Sequence, residues 1–494
     1  MQVTLGVDSL LLTGAVLALS AVIVSALVTR RSRRFRVPGA LLFLALGMLF
    51  GDDGLNLISL DDAELVQNVG VVALLFILLE GGLTTKPTDL KLAALPGLVL
   101  ATAGVALTAG ITAAGVWLLL DVDLVTAGLI GAVVGSTDAA AVFSMMRTTP
   151  LPRRVAALLR VESGSNDPFA VMLTVGLLTS YEQGASASEW AGFAVLQLAG
   201  GTVAGVVVGM GAVALLRRLQ LAVAGLYPLT VAAVGALAYG LATTIGASGF
   251  VAVYATGVII GAGLPRHRRA ILGFHEAVAN AAEIGLFLLL GLLVFPSQLP
   301  AIALLGLLVA AVLTLVARPV TVWLSTLGQH YSWQERTLLS VGGLKGAVPI
   351  VLATFPLTAG VDDADLIFDV VFFVVLVSVL VQGLALFPLV RRLGFDLPRP
   401  AWAPVAEALP LEGIEVDLVE LHVTEELFLV DRRIREVGVP PGTLITAIVR
   451  GNRVLVPSGE TRLRADDVLL ITAERDRTAL ERLTAWARGE HRAT

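Results

Sequence analysis

The sequence predicts an all-α polytopic membrane bundle of about thirteen transmembrane helices, followed by a small cytoplasmic α+β domain. Within the bundle it predicts inverted repeats and two broken helices. Three observations carry this reading. Hydrophobic residues make up 56% of the 494-residue chain and charged residues only 15%, against about 45–50% and about 25% in soluble domains. The apolar residues fall in runs of roughly 20, the length a helix needs to cross about 30 Å of hydrocarbon. Basic residues collect in every second connecting segment, as they do on the cytoplasmic side of membrane proteins.

The runs lie near 9–29, 37–50, 66–83, 92–119, 124–146, 155–180, 190–216, 223–245, 248–263, 277–295, 299–325, 336–357 and 366–390. No basic residue precedes the first run, and it is longer than a signal-peptide core, so it reads as a retained span. Runs 37–50 and 248–263 are short, as half-buried or unusually tilted helices would be. The basic segments hold Arg30, Arg31, Arg33, Arg34 and Arg36; Lys86 and Lys91; Arg147, Arg153 and Arg154; Arg217 and Arg218; Arg266, Arg268 and Arg269; Arg336; and Arg391 and Arg392. The alternate segments lack Lys and Arg, and several are acidic: Asp52, Asp53, Asp61, Asp62 and Glu64; Asp121 and Asp123; Glu182 and Glu189; Asp362, Asp363 and Asp365. This alternation places the N-terminus outside and the C-terminus in the cytoplasm. The net charge of −5 gives no footprint for nucleic acid. The absence of cysteine excludes disulfides, thiolate metal sites and thiol nucleophiles.

The hydrophobic pattern stops near Leu393. The expected division is a transmembrane region over 1–392, a Pro- and Ala-rich linker over 393–412, and a cytoplasmic domain over 413–494. In the tail, Val416 to Val423 alternates as a half-buried strand does. Leu444 to Val449 and Val454 to Val456 flank Arg450-Gly451-Asn452-Arg453, a hairpin signal. Val468 to Thr472 reads as another strand and Arg475 to Arg488 as an amphipathic helix. A domain of about 80 residues buries little surface and benefits from a partner or dimer mate.

An ionisable side chain in mid-bilayer costs several kcal/mol, so each one needs a reason. The exceptions to otherwise uncharged spans are Glu80, Asp138, Glu162, Asp167, Glu283, Arg318 and Lys345, with Arg160 and Glu276 nearer span ends. The richest segment is Arg160-Val161-Glu162-Ser163-Gly164-Ser165-Asn166-Asp167-Pro168. On a helix, Ser163 and Asp167 share one face, and Glu162 and Asn166 share a neighbouring one. Pro168 lacks an N–H and clashes with the Gly164 carbonyl, which is then free to help ligate a cation. Carboxylate, hydroxyl and carbonyl oxygens suit hard cations. Burial disfavours the charged form of an acid, so such a carboxylate can hold a proton or a metal cation, but not both. Competition for one acid is a minimal machine for exchange.

Two further segments interrupt their spans: Gly135-Ser136-Thr137-Asp138, and Gly342-Gly343-Leu344-Lys345-Gly346-Ala347-Val348-Pro349. Such interruptions in a pair of spans point to broken helices around a mid-membrane site. The two spans lie seven apart and so run in opposite directions. Broken helices expose positive N-termini and negative C-termini, which Asp138 and Lys345 are expected to neutralise. Structural readings stand beside these. A lone acid or base in a span is often helix–helix glue, a reading open for Glu283 and Arg318. Glu276 reads as interfacial, and Glu80 sits at the end of a run where it could snorkel. The five histidines read as interfacial or surface residues. No phosphate-binding Gly-rich loop suggests ATP-driven transport.

At these residues the chain resembles the cation:proton antiporter superfamily, in its NhaP-type branch. The resemblance rests on Glu162-Ser163-x-x-Asn166-Asp167-Pro168, on Thr137-Asp138, and on Gly343-Leu344-Lys345-Gly346-Ala347-Val348-Pro349-Ile350, where Arg is more usual than Lys. It implies a homodimer with a mobile core domain, and no cofactor, with K⁺ or Na⁺ and H⁺ as substrates. It implies a cation held by Asp167, the proton/cation carrier, with Ser163, Asp138, Thr137 and Glu80. It further implies Asn166 as support for the core helices, with Pro168, Gly343 and Gly346 in the motifs around it, and a Glu162–Lys345 charge pair. The Asn166-Asp167 pair, in place of two adjacent aspartates, implies electroneutral exchange. The tail resembles the TrkA-C domain at Ile434, Gly438, Pro440-Pro441-Gly442, Ile448, Arg450, Pro457, Gly459, Thr461 and Asp466-Asp467. That implies a small regulatory ligand or a dimer contact, and it favours K⁺ over Na⁺. The expected protein is thus a transporter of the plasma membrane rather than an enzyme, with no nucleic-acid partner. The alternative is a ligand-gated monovalent cation channel, which needs a pore with weak multi-site binding.

Overall fold

The computed structural model describes residues 39–58, 60, 62–85, 87–138, 151–183, 187–219, 221, 223–263, 267–395, 405–410, 416–424, 427–451, 453–474 and 479–489. The first predicted run (9–29), the basic segment after it, Lys86, Arg147, Arg266 and residues 139–146 of the run at 124–146 lie outside the described residues. The chain divides into two compact units, Met1–Phe395 and Asp396–Thr494.

The first unit is helical. Its elements are α1 (Gly39–Phe50), α2 (Ala63–Thr84), α3 (Pro87–Val99), α4 (Val105–Leu119), α5 (Leu124–Val133), α6 (Arg153–Gln183), α7 (Ala187–Val195), α8 (Gly201–Arg218), α9 (Leu226–Thr244), α10 (Gly249–Gly263) and α11 (Arg268–Leu293). They continue with α12 (Leu299–Ala311), α13 (Arg318–Ser325), α14 (Trp333–Val341), α15 (Ala347–Ala359), α16 (Ala364–Val377) and α17 (Gly383–Arg392). Four π-helical turns join successive helices into longer rods: Leu100–Gly104, Leu196–Gly200, Val312–Ala317 and Ser378–Gln382. Among the described residues, seven rods are long and apolar enough to cross a membrane, and four shorter apolar helices accompany them. Helix starts follow local chemistry. The Asp62 carboxylate accepts from the Leu65 N–H at 2.9 Å, and Asp123 accepts from the Thr126 and Val125 N–H groups. Ser332 and Glu335 close a capping box.

The helices form two packed groups. In one, α1 packs on α11, α2 on α10 and α11, and α8 on α9 and α10. In the other, α3 packs on α6, α4 on α5, α12 on α16, and α15 on α16. The groups meet where α2 and α11 touch α15 and where α10 touches α6. Close approach inside the first group depends on absent side chains: a Cβ on Gly257 would lie 2.7 Å from the Leu79 carbonyl oxygen, so α2 and α10 pack backbone to backbone. The outer faces of the rods expose large apolar side chains, among them Leu95, Leu118, Leu304, Leu315 and Val381. A lipid environment covers such a surface; water would not tolerate it.

The second unit holds a five-stranded antiparallel sheet in the order β1-β2-β5-β3-β4. The strands are β1 (Val405–Pro410), β2 (Val416–His422), β3 (Thr443–Arg450), β4 (Arg453–Leu455) and β5 (Val468–Glu474), with helices α18 (Ile434–Val437) and α19 (Ala479–Arg488). The predicted hairpin forms, with Arg450 opposite Arg453 and Gly451 at φ +59°, a conformation that glycine adopts without strain. Leu421, Ile448, Leu469, Ile471 and Trp486 are buried in the core of this unit. The Pro- and Ala-rich stretch read as linker contains β1, paired antiparallel with β2. Pro410 ends it, and an edge strand accommodates a residue that donates no ladder hydrogen bond.

Candidate functional site

The interruption after α5 and the one between α14 and α15 cross each other. The Asp138 N–H donates to the Leu344 carbonyl at 2.7 Å, linking the two unwound segments directly. Lys345 Nζ donates to the Ser136 carbonyl at 2.6 Å and lies 3.5 Å from that of Gly135. The ammonium thus sits on the carbonyls just beyond the C-terminal end of α5, where a helix presents negative charge. Asp138 stands against Gly346, the residue that precedes the first turn of α15. A Cβ on Gly346 would lie 2.2 Å from Asp138 Oδ2, so only glycine leaves room for the carboxylate there. The second interruption is anchored on its other side. The Lys345 N–H donates to Ser378 Oγ at 3.1 Å, Ser378 donates to Gln382, and Gln382 Nε2 donates to Thr314 Oγ1 at 3.2 Å.

Helix α6 passes beside this crossing. Asn166 is fully buried, and its Nδ2 donates to Thr137 Oγ1 at 2.6 Å and to the Thr137 carbonyl at 3.3 Å. Asn166 therefore ties α6 to the first interruption. Asp167, next in sequence and also buried, lies within electrostatic reach of Asp138, Lys345 and Ser136. Pro168 follows inside the helix.

A cavity of about 260 Å³ opens between the two helix groups. One wall carries Asp138, Arg160, Ser163, Gly164 and Asp167; the other carries Glu80 and Thr84 of α2, Tyr254 of α10 and Glu283 of α11. Four of the residues singled out from sequence as cation-contacting therefore face one space: Asp167, Ser163, Asp138 and Glu80. Thr137 does not line it; its hydroxyl is engaged by Asn166. Thr84 and Arg160 are exposed, marking one end of the cavity as its mouth.

Glu162 makes its direct ion pair with Arg318, while Lys345, the partner expected from sequence, stays within electrostatic reach of it. Glu162 Oε1 and Arg318 Nη1 form an ion pair at 2.7 Å, with side chains 1% and 2% exposed. The reason is positional. Lys345 is drawn onto the carbonyls after α5, while Arg318 reaches Glu162 past Gly343, where a Cβ would lie 2.4 Å from Arg318 Nη2. Arg318 also donates to the Leu339 carbonyl. Arginine's planar fork suits a buried pair better than a lysine point charge. His275 departs from the sequence reading as well. It is fully buried on α11, with Nδ1 2.8 Å from the Ile271 carbonyl. Sequence reasoning missed Tyr254 altogether, since a tyrosine in an apolar run carries no signal. It noted Glu283 as a charge within a span but gave it no place at the site.

Comparison with known proteins agrees with this architecture. A family model described as the transmembrane sodium/hydrogen exchanger matches residues 18–392, and a TrkA-C domain model matches residues 418–484. A K(+)/H(+) antiporter NhaP2 from Shewanella sp. (strain ANA-3) is 38% identical over 493 residues, covering 97% of this chain and 84% of its own length. A K(+)/H(+) antiporter NhaP from Alkalimonas amylolytica is 35% identical over 462 residues, covering 91% and 79%. The solved structure of the sodium proton antiporter MjNhaP1 from Methanocaldococcus jannaschii at pH 8 superimposes with a TM-score of 0.66 at 25% identity. It covers 76% of this chain and 99% of its own.

Proposed function

We propose that this chain, which belongs to the sodium/hydrogen exchanger family and is a cation/proton antiporter, exchanges its ions at Asp167. The carboxylate of Asp167 takes a proton or an alkali cation in turn. Asp138 and Ser163, and Glu80 from the facing wall, supply further oxygens to the cation. One observation supports this above the others: these four side chains, spread over three helical segments, line a single cavity beside the crossing of two helix interruptions. A hard cation gains several oxygens there, and the two aspartates in reach of one another favour the arrival of positive charge.

The exchange is read as electroneutral, one cation for one proton, and K⁺ is favoured over Na⁺. The K⁺ preference is supported by the similarity to the K(+)/H(+) antiporters of Shewanella and Alkalimonas and by the TrkA-C-like tail. Alternating access would come from movement of the helix group that holds Asp138 and Asp167 against the group that holds Glu80. The cavity mouth lies near Arg160 and the C-terminal end of α2, the side that the basic segments mark as cytoplasmic. The protein is placed in the plasma membrane as a homodimer, with K⁺ or Na⁺ and H⁺ as substrates and no cofactor. Residues 413–494 form a regulatory domain open to a small ligand.

Flux in proteoliposomes tests this reading. Adding K⁺, Na⁺ or Li⁺ should dissipate an imposed pH gradient, K⁺ at the lowest concentration, without net current. Asp167→Asn should be inert yet fold as the wild type does. Current without a pH gradient would indicate a channel, and wild-type flux in Asp167→Asn would place the carrier elsewhere.

A further inference from the structure

Glu283 lies well inside α11 and lines the cavity from the wall opposite Asp138 and Asp167. The two bland explanations for an acid within a span are helix–helix glue and an interfacial position. Glue requires a partner. Among the described residues no hydrogen bond or ion pair engages the Glu283 carboxylate, and the charged groups in its electrostatic reach are Asp138 and Glu80, both acids. Its helix also carries Glu276, which adds to the negative field at Glu80. The basic groups nearest the site are committed elsewhere. Lys345 is on the carbonyls after α5, and Arg318 is on Glu162. Arg160, which lines the same cavity, sits at its exposed end. An acid that is half-buried, faces other acids and has no protein cation beside it lacks a structural reason to be there. A mobile cation supplies one.

We infer that Glu283 is a further cation-contacting residue of the exchanger: from the scaffold wall it meets the alkali cation between the cavity mouth and Asp167, and it sets apparent cation affinity. This rests on the reading of Asp167 as the carrier. Asp138 and Asp167 sit on one helix group, and Glu80 and Glu283 on the other. Glu283 therefore contacts the ion while the cavity is formed between the groups, and contributes to loading rather than to the proton/cation competition itself. Removing an interaction of that kind raises KM and leaves kcat largely in place.

The test measures K⁺-dependent dissipation of a pH gradient in proteoliposomes for wild type, Glu283→Gln, Glu283→Asp and Asp167→Asn. Glu283→Gln should raise the KM for K⁺ about tenfold while kcat stays within about twofold, and Glu283→Asp should recover part of the affinity. A wild-type KM in Glu283→Gln overturns the inference, as does a drop in kcat with unchanged KM. If Glu283→Gln proves too impaired for kinetics, K⁺-induced stabilisation of the purified full chain decides. A shift in unfolding midpoint equal to the wild type's overturns the inference; a shift displaced to higher K⁺ supports it. Transport by Asp167→Asn would instead remove the carrier reading beneath it. An inert Asp167→Asn beside an unaffected Glu283→Gln would remove only the role of Glu283.

Discussion

Glu162 and Arg318 form an ion pair at 2.7 Å between α6 and α13, with almost no solvent contact on either side chain. Taking two charges out of water is costly, and removing one partner leaves the other uncompensated. Arg318→Met should therefore destabilise the membrane unit by about 3–5 kcal/mol, read as a lower unfolding midpoint in detergent. The double variant Glu162→Gln/Arg318→Met should recover much of that loss. A loss in the double variant equal to the sum of the losses in Arg318→Met and Glu162→Gln would mean that the pair is not coupled.

Gly346 holds space for the Asp138 carboxylate, since a Cβ there would lie 2.2 Å from Oδ2. Gly346→Ala should displace Asp138 by up to an ångström and lower exchange by about tenfold to a hundredfold. Size-exclusion behaviour should stay that of the wild type. Unchanged flux in Gly346→Ala would show that the position of Asp138 does not matter.

In the tail, Arg450 Nε and Nη2 donate to the two carboxylate oxygens of Asp467, each at 2.8 Å, and the Arg464 N–H donates to the same group. Burial by itself raises the Asp467 carboxyl, but the Arg450 and Arg464 hydrogen bonds outweigh it and hold it below the usual carboxylate range. A depressed folded-state value contributes stability that is present above the ordinary carboxylate value. That stability is lost as pH falls through the depressed one. Pulse proteolysis of the full chain should find the tail increasingly cleaved as pH drops through and below the ordinary carboxylate range. Asp467→Asn should be less stable at neutral pH and lack that component of the pH dependence. Parallel pH profiles for the two proteins would contradict this.

The tail forms a compact unit of its own, and none of the residues assigned to ion exchange belongs to it. A chain ending at Arg392 should retain cation-dependent proton flux while losing its regulation. Loss of all flux in a folded truncation would assign the tail a direct part in transport.

The apolar rods among the described residues were legible because lipid imposes one length and one polarity on a crossing helix, whatever its neighbours. The two interruptions were legible for a related reason. Gly135, Gly342, Gly343 and Gly346 break apolar periodicity where a charge also appears. Partners were harder to read. Both Arg318 and Lys345 could balance Glu162, and only the fold shows that carbonyls after α5 take the lysine. Tyr254, His275 and Glu283 reach their places through helix rotation, which an evenly apolar run does not encode. Strand β1 escaped notice because prolines on either side of a short alternation read as linker.

The exchange claim is tested most directly by proton release. When saturating K⁺ is added to the purified chain in weakly buffered detergent at a pH where Asp167 holds its proton, about one proton per protomer should enter solution as cation displaces it. Asp167→Asn should release none. Cation binding to the wild type without proton release, or equal release from the variant, would contradict the account.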